Sequence, residues 1–396
     1  MKNYSTLKLP TGFKCAGISA GIKKNGTKDM AMIFSESPAV VAGVFTQNQV
    51  CAAPVKVCRE HLQHGVAKAI VMNSGIANAC TGAEGMIAAK KMAAEAGRIL
   101  GCAPQEIFVC STGRIGPQLP LDSIVNGIKI LFAEAKQEAV QETAEAMMTT
   151  DTHPKVATAT VEIDGEAIQI LGFAKGAGMI EPNMATMLSF IVTDAAVEQH
   201  AFQAALKQAV DLSFNRITID GDQSTNDTVL ALANGASKTP ALNPNSTSWN
   251  PFTEALEKVC FELAMMIVHD GEGADKFVTV HVSGARTEFD ADLAARSVAN
   301  SLLNKTAWAG NYPNWGRIMD SVGYSKALIN EDHISIYYDD QRVVQNGMRT
   351  DVPQEDLVAV VSQSDFSIHI NLHLGDAEAT IYTCNCTEEY VRINVE

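Results

Sequence analysis

This chain is built of short apolar runs that break off into polar or glycine-bearing loops, with helical stretches between them. Val40 to Phe45, Ala69 to Met72 and Ile107 to Cys110 are such runs in the first third, and the alternation is an α/β rhythm. Ile87 to Leu100 is rich in Ala and Lys with no breaker before Gly101, which predicts a helix. Phe108-Val109-Cys110 runs directly into Ser111-Thr112-Gly113, which reads as a strand feeding a loop. Between Asn250-Pro251 and Asp270-Gly271 the apolar positions Leu256, Val259, Cys260, Leu263 and Ile267 recur at helical spacing. Val278, Val280 and Val282 then alternate with Thr279, His281 and Ser283, the pattern of a half-buried strand, so Glu272 sits in a tight loop between two elements. Composition turns polar around Gly284-Ala285-Arg286, and a division into residues 1–285 and 286–396 is expected there. The Pro-, Asn- and Ser-rich stretch Thr239 to Pro251 reads as a surface loop and a candidate second boundary.

With 46% hydrophobic residues, 396 residues suffice for one large or two ordinary domains, which excludes a disordered tail and a disulfide mini-protein. Asp and Glu number 45 against 30 Lys and Arg, a net charge of −15. That sign argues against the basic face needed to hold a phosphate backbone. Nine cysteines lie scattered, suggesting neither a disulfide framework nor a paired-cysteine zinc site. The start has no apolar stretch of signal-peptide length, and no segment approaches the roughly 20 apolar residues of a membrane span. The expectation is a cytoplasmic protein without nucleic-acid or membrane partners.

The common catalytic signatures are missing: no H-E-x-x-H, Walker loop, G-x-S-x-G elbow or G-x-G-x-x-G. Asp220-Gly-Asp222-Gln-Ser224 begins like a calcium loop, but Thr225 stands where Gly is needed and Ala231 where a bidentate Glu is needed, so no metal is expected. The methionine pairs 147–148 and 265–266 read as core packing. His153, His269 and His281 read as edge or core-rim residues.

Lys175-Gly-Ala-Gly178-Met-Ile-Glu181-Pro182-Asn-Met-Ala185-Thr186 is an irregular loop, and Met187 to Thr193 reads as a buried strand. Thr186 therefore stands where loop becomes strand. Threonine is a poor nucleophile unless a base takes its proton, and no histidine is adjacent in sequence. If the chain breaks before Thr186, the freed α-amino group, with a reference pKa of about 7.7–8.0, can serve as that base. The small Ala185 leaves room for Thr186 Oγ1 to attack the Ala185 carbonyl in an N-to-O acyl shift followed by hydrolysis. An ordinary strand-starting threonine is the alternative this segment leaves open.

Eight blocks along the chain carry a resemblance. They are Val44-Phe45-Thr46, Asn73 to Gly82, Ser111 to Gly116, Met148 to Lys155, Lys175 to Leu188, Asp220 to Thr228, Asp270 to Ala274 and Pro313 to Arg317. In these blocks and their order the chain resembles, over nearly its whole length, the ornithine acetyltransferase family, the bifunctional glutamate N-acetyltransferases of arginine biosynthesis. The resemblance implies an aminopeptidase/ornithine acetyltransferase-like layered α/β sandwich, its catalytic domain in 1–285, with a smaller C-terminal α+β subdomain in 286–396. It implies self-cleavage between Ala185 and Thr186 into a piece of 185 residues and one of 211. Thr186 then becomes the N-terminal nucleophile, Thr112 and Gly113 form the oxyanion hole, and Thr152, Lys175, Thr186 and Glu272 contact substrate. Lys175 suits an α-carboxylate and Glu272 an ammonium group such as that of ornithine.

The activity implied is acetyl transfer from N2-acetylornithine to glutamate through an acetyl-Thr186 ester, with no cofactor. Some family members also accept acetyl-CoA, and the sequence leaves that donor open. Relatives assemble as two copies of each processed piece, which sets the expectation of an α2β2 heterotetramer. The family's closing substrate-binding Asn is matched by Asn394, but the hydroxyl residue that usually follows has no counterpart before Glu396. Tyr312 and Asn304 also depart from the family's preferences. A diverged paralogue acting on another N-acyl amino acid, an amidase-like hydrolase using the same threonine, and a non-catalytic binding protein stay open at this point.

Overall fold

The structure, a computed structural model, describes residues 4–163, 165–181 and 187–395. The expected cleavage pair Ala185 and Thr186 lies outside the described residues. Two compact units are present, Met1–Asn215 with Asp222–Ile267, and Arg216–Gly221 with Val268–Glu396.

In the first unit the strands are β1 (Phe13–Ile18), β2 (Met30–Phe45), β3 (Val66–Ile76), β4 (Ile107–Arg114), β5 (Lys155–Ile163), β6 (Glu166–Lys175), β7 (Leu188–Thr193) and β8 (Thr228–Ala233). They form one sheet in the order β4-β3-β2-β8-β7-β6-β5, with β1 added to β2. Each apolar run foreseen in the sequence lies in one of these strands. β7 and β8 are parallel and buried at every residue, which is why they read as continuous apolar runs rather than alternating ones. β2 is 16 residues long with a register shift between Phe34 and Ala39. Its first part pairs with β1 and β3, while Val40 to Phe45 pair with β8.

This unit's helices include α1 (Ala53–Leu62), α2 (Gly82–Leu100), α3 (Leu121–Glu134), α4 (Val140–Met147), α5 (Gln199–Asp211) and most of α6 (Trp249–His269). Alternate strand residues enter different cores. Met32, Val71 and Val109 pack with Met92 of α2 and Ile128 of α3, whereas Ile33, Met72 and Phe108 pack with Val140 and Met147 of α4. The helical spacing read in α6 is its buried stripe, Leu256, Val259, Cys260, Leu263 and Ile267. Gly172 of β6 allows α6 its approach, because a Cβ there would lie 2.8 Å from both Val259 and Leu263 side chains. Met147 is fully buried, as expected. Met265 and Met266 are only half-buried, because they sit beside the apolar stripe of α6 rather than on it.

The second unit holds β9 (Phe277–Ala285), β10 (Ser335–Tyr338), β11 (Gln341–Gln345), β12 (Met348–Arg349), β13 (Asp365–Asn371) and β14 (Ala377–Cys384), in the order β12-β11-β10-β13-β9-β14. Its helices are α7 (Glu288–Asn300), α8 (Leu302–Ala309), α9 (Trp315–Gly323), α10 (Gln354–Val361) and α11 (Glu388–Ile393). Val278, Val280 and Val282 of β9 are buried against Ala291, Ala295 and Val298 of α7, as their alternation indicated. β9 is hydrogen-bonded between β13 and β14, so the division between units falls before this strand rather than at 285/286. The 239–251 stretch is not a boundary, since it runs inside the first unit.

Candidate active site

Ser111, Thr112 and Gly113 are the emerging end of β4 and not the loop expected from their composition. Parallel pairing with β3 carries the strand through them, opposing Ser111 to Asn73, Thr112 to Ser74 and Gly113 to Gly75. Burial falls away along the strand, from a fully buried Phe108 to an exposed Gly113, so the pairing delivers the Thr112 side chain and the Gly113 backbone to the surface of the sheet end. Gly113 has φ +122, and a Cβ on it would stand 2.3 Å from the Gly75 carbonyl carbon. Only glycine fits that conformation and that backbone approach.

Lys175 ends β6 and is 4% exposed. Its Nζ donates to Thr112 Oγ1 at 3.5 Å and stands 4.0 Å from Asp151 Oδ2. β4 and β6 are five places apart in the sheet order, about 24 Å in a flat sheet at the usual strand spacing. That is far beyond a lysine's reach. The sheet must therefore be strongly bent, and the long, register-shifted β2 is where one set of partners is exchanged for another.

Asp151 organises this corner. Its Oδ1 accepts from Lys155 Nζ at 2.7 Å and from the Gly176 N–H at 2.6 Å, and its Oδ2 accepts from the Thr149 N–H at 3.0 Å. Burial alone would push its pKa up, but the charges of Lys155 and Lys175 with the Gly176 N–H outweigh it and hold the carboxyl well below the usual range. Thr152, next in sequence, is exposed with Oγ1 3.0 Å from His153 Nδ1. A cavity of about 500 Å³ opens beside Asp151 and is also lined by Lys23, Lys28, Glu145 and Thr149. Lys23 donates to the carbonyls of Lys28 and Met148. Burial lowers its pKa to about 8 against the raising influence of Asp29 and Asp151.

The sequence reading assigned no role to Asn226, which joins the two sides of the site. Its Nδ2 donates to the carbonyls of Ala77 at 2.6 Å and Ser111 at 2.9 Å, tying the chain before β8 to the ends of β3 and β4. Asp151, Lys155 and Lys23 were likewise unassigned. Asn226, Asp151 and Lys155 lie inside blocks that carried the resemblance, which was the available signal, but nothing local distinguishes a buried tether from a turn residue.

In the second unit, Glu272 is 7% exposed in the turn between α6 and β9. Asn394 Nδ2 donates to Glu272 Oε2 at 2.6 Å, so two residues foreseen as substrate contacts touch each other. Thr387 Oγ1 donates to the Gly273 carbonyl at 2.6 Å, holding the start of α11 against the same turn.

The ArgJ family model matches residues 14–396. The chain belongs to the ArgJ family. It is 46% identical over 386 residues to the arginine biosynthesis bifunctional protein ArgJ of Geobacter sulfurreducens, covering 97% of this chain and 98% of that one. To the protein of the same description in Syntrophotalea carbinolica it is 48% identical over 386 residues, with the same coverage. Among solved structures, the arginine biosynthesis bifunctional protein argJ of Bacillus halodurans is 38% identical with a TM-score of 0.51, matched over 99% of its own chain and 53% of this one. The layered α/β architecture is thus that of the ArgJ family. Among the described residues, no helix is long and apolar enough to cross a membrane.

Proposed function

We propose that this chain is a self-processing glutamate N-acetyltransferase of arginine biosynthesis, taking acetyl from N2-acetylornithine. Thr186 Oγ1 attacks the acetyl carbonyl, ornithine departs, and the acetyl-threonine ester passes its acyl group to the amino group of glutamate. The freed α-amino group of Thr186 carries the proton. The Thr112 hydroxyl and Gly113 N–H stabilise the alkoxide of both tetrahedral intermediates, a contribution of roughly 3–4 kcal/mol per donor in well-studied enzymes. Lys175 receives the α-carboxylate of the N-acetylated substrate, Thr152 contacts the same substrate, and Glu272, oriented by Asn394, receives an ammonium group. The processed pieces assemble as two copies of each.

The observation that carries this reading is the hydrogen bond from Lys175 to Thr112, which brings a buried cation to the hydroxyl assigned to the oxyanion hole. Self-processing is supported by the Bacillus halodurans relative, whose almost wholly matched chain spans 53% of this one. The 211 residues after Ala185 make up that same share of the 396.

Mass measurement of the purified protein tests the reading. Two pieces divided between Ala185 and Thr186 are expected from the wild type and one 42.3 kDa chain from Thr186→Ala. An undivided wild type removes the proposed base and with it the mechanism. Acetyl-enzyme that loses its acetyl to water as fast as to glutamate would favour a hydrolase.

A further inference from the structure

Lys23 lies in the connection from β1 to β2, and Asp29 fixes that connection. Asp29 is fully buried, and its carboxylate accepts from the N–H groups of Ala20 at 2.6 Å, Ile22 at 2.6 Å and Lys23 at 2.9 Å. Bonds of this kind, with an ionised acceptor, are about twice as strong as neutral ones. The Asp29 backbone adds two more, donating to the Ile18 carbonyl at 2.8 Å and accepting from the Ser74 N–H at 2.8 Å. Lys23 is therefore mounted on a rigid base beside the end of β3.

From that base its side chain touches two parts of the site. A Cβ added to Gly75 would stand 3.1 Å from Lys23 Cγ, so the aliphatic stem lies against Gly75. The backbone of Gly75 is in turn what leaves no room for a side chain on Gly113. The stem thus backs the pair of strand ends that presents the Gly113 N–H. The ammonium group continues to the carbonyls of Met148 at 2.6 Å and Lys28 at 2.8 Å.

Met148 is where α4 ends and the chain becomes extended. The last carbonyls of a helix have no donor within it, and a lysine is a favourable partner for them. Ser74 Oγ makes a second link from β3 to this helix end, donating to the Ala146 carbonyl at 2.6 Å. Beyond Met148 the chain is next anchored by the Asp151 carboxylate, on Lys155 and the Gly176 N–H. Lys23 therefore holds the near end of the segment that carries Thr152.

We propose that Lys23 is a positioning residue for acetyl transfer: its ammonium sets the 148–152 segment from which Thr152 meets the N-acetyl amino acid, and its stem holds Gly75 against Gly113. The inference rests on the reading of Thr152 as a substrate contact and of Gly113 as an oxyanion donor. Lys23 acts through these two stretches of backbone and exchanges no proton with the substrate.

Lys23→Met keeps the stem and removes the ammonium, whereas Lys23→Ala removes both. Amide hydrogen exchange, read by mass on the peptide spanning 148–155, reports the segment directly, and a peptide from α6 serves as the folding control. In Lys23→Met the 148–155 amides should exchange about tenfold faster than in the wild type while α6 keeps its rate, the loss of one hydrogen bond from a charged group. KM for N2-acetylornithine should rise about tenfold with kcat, counted per processed enzyme, within about twofold, since binding is weakened and the reacting groups are untouched. Lys23→Ala should show the same KM and a kcat lower by at least about tenfold, because a displacement of about 1 Å at the reacting centre costs up to about 100-fold.

Unchanged exchange at 148–155 in Lys23→Met overturns the tether. So does an equal acceleration in α6, which marks a general loss of stability. A Lys23→Met enzyme with lowered kcat and unchanged KM overturns the positioning role by placing the ammonium in the chemistry. Faster exchange at 148–155 with both kcat and KM unchanged leaves the tether standing and removes Thr152 from the substrate site, so the role falls with the reading it rests on and the two failures are told apart.

Discussion

Lys175 Nζ donates to Thr112 Oγ1 at 3.5 Å although the residues are 63 positions apart and end strands five places apart in the sheet. A cation buried at 4% exposure beside the proposed oxyanion donor is placed to hold a carboxylate while the neighbouring carbonyl reacts. Replacing Lys175 with Met should raise KM for N2-acetylornithine by roughly 10- to 100-fold, the equivalent of one charge-assisted hydrogen bond. An amidated substrate lacking the α-carboxylate should bind the two proteins alike. Steady-state kinetics with both substrates checks this, and an unchanged KM would remove Lys175 from the substrate site.

Asp151 and Lys155 form an ion pair at 2.7 Å with both side chains fully buried. Asp151→Asn removes the negative charge opposite the buried Lys155 ammonium and should cost about 3–5 kcal/mol of stability. Its pKa is depressed on folding, so its contribution is fully present above the unfolded value of about 3.9 and declines as pH falls below it. The stability difference between wild type and variant, from urea unfolding at several pH values, should be constant from neutrality to about pH 5 and shrink in more acid solution. A difference that grows on acidification would contradict this.

Asn394 holds Glu272 through a 2.6 Å hydrogen bond. In Asn394→Ala the carboxylate loses that orienting donor, and KM for N2-acetylornithine should rise about tenfold, corresponding to one hydrogen bond to a charged group. Self-cleavage, read by mass, should proceed as in the wild type, since it does not use the substrate's ammonium group.

The Tyr338 hydroxyl is fully buried in the core of the second unit and has no hydrogen-bond partner among the described residues. Burial of an unpaired hydroxyl is a penalty of about 1–3 kcal/mol, so Tyr338→Phe should leave stability unchanged or raise it by about 1 kcal/mol. The midpoint of urea unfolding measures it, and a clear drop would mean that the hydroxyl is satisfied in solution.

Much of the frame was legible in the sequence because it rests on local periodicity. The stripe of α6 and the alternation of β9 each repeat within one element and needed no partner to be recognised. Ser111 to Gly113 were misread because their polar, glycine-bearing composition is that of a turn. Their strand conformation comes from Asn73 to Gly75, a segment far away in the chain. The division between units was set too late for a similar reason, since β9 belongs to whichever sheet pairs with it.

The sequence by itself determined the α/β class, the ArgJ-type blocks and the residue types available for chemistry, since these depend on spacing and composition along the chain. Only the tertiary structure decided that Asn226 tethers the Ser111 end of β4, that Asp151 gathers Lys155 and Lys175, and that Asp227 is buried with no hydrogen-bond partner for its carboxyl among the described residues. The physical reason is that pairing and desolvation are properties of segments brought together by the bent sheet. Whether a buried carboxyl is held as an anion by neighbouring cations, as Asp151 is, depends on what folds around it.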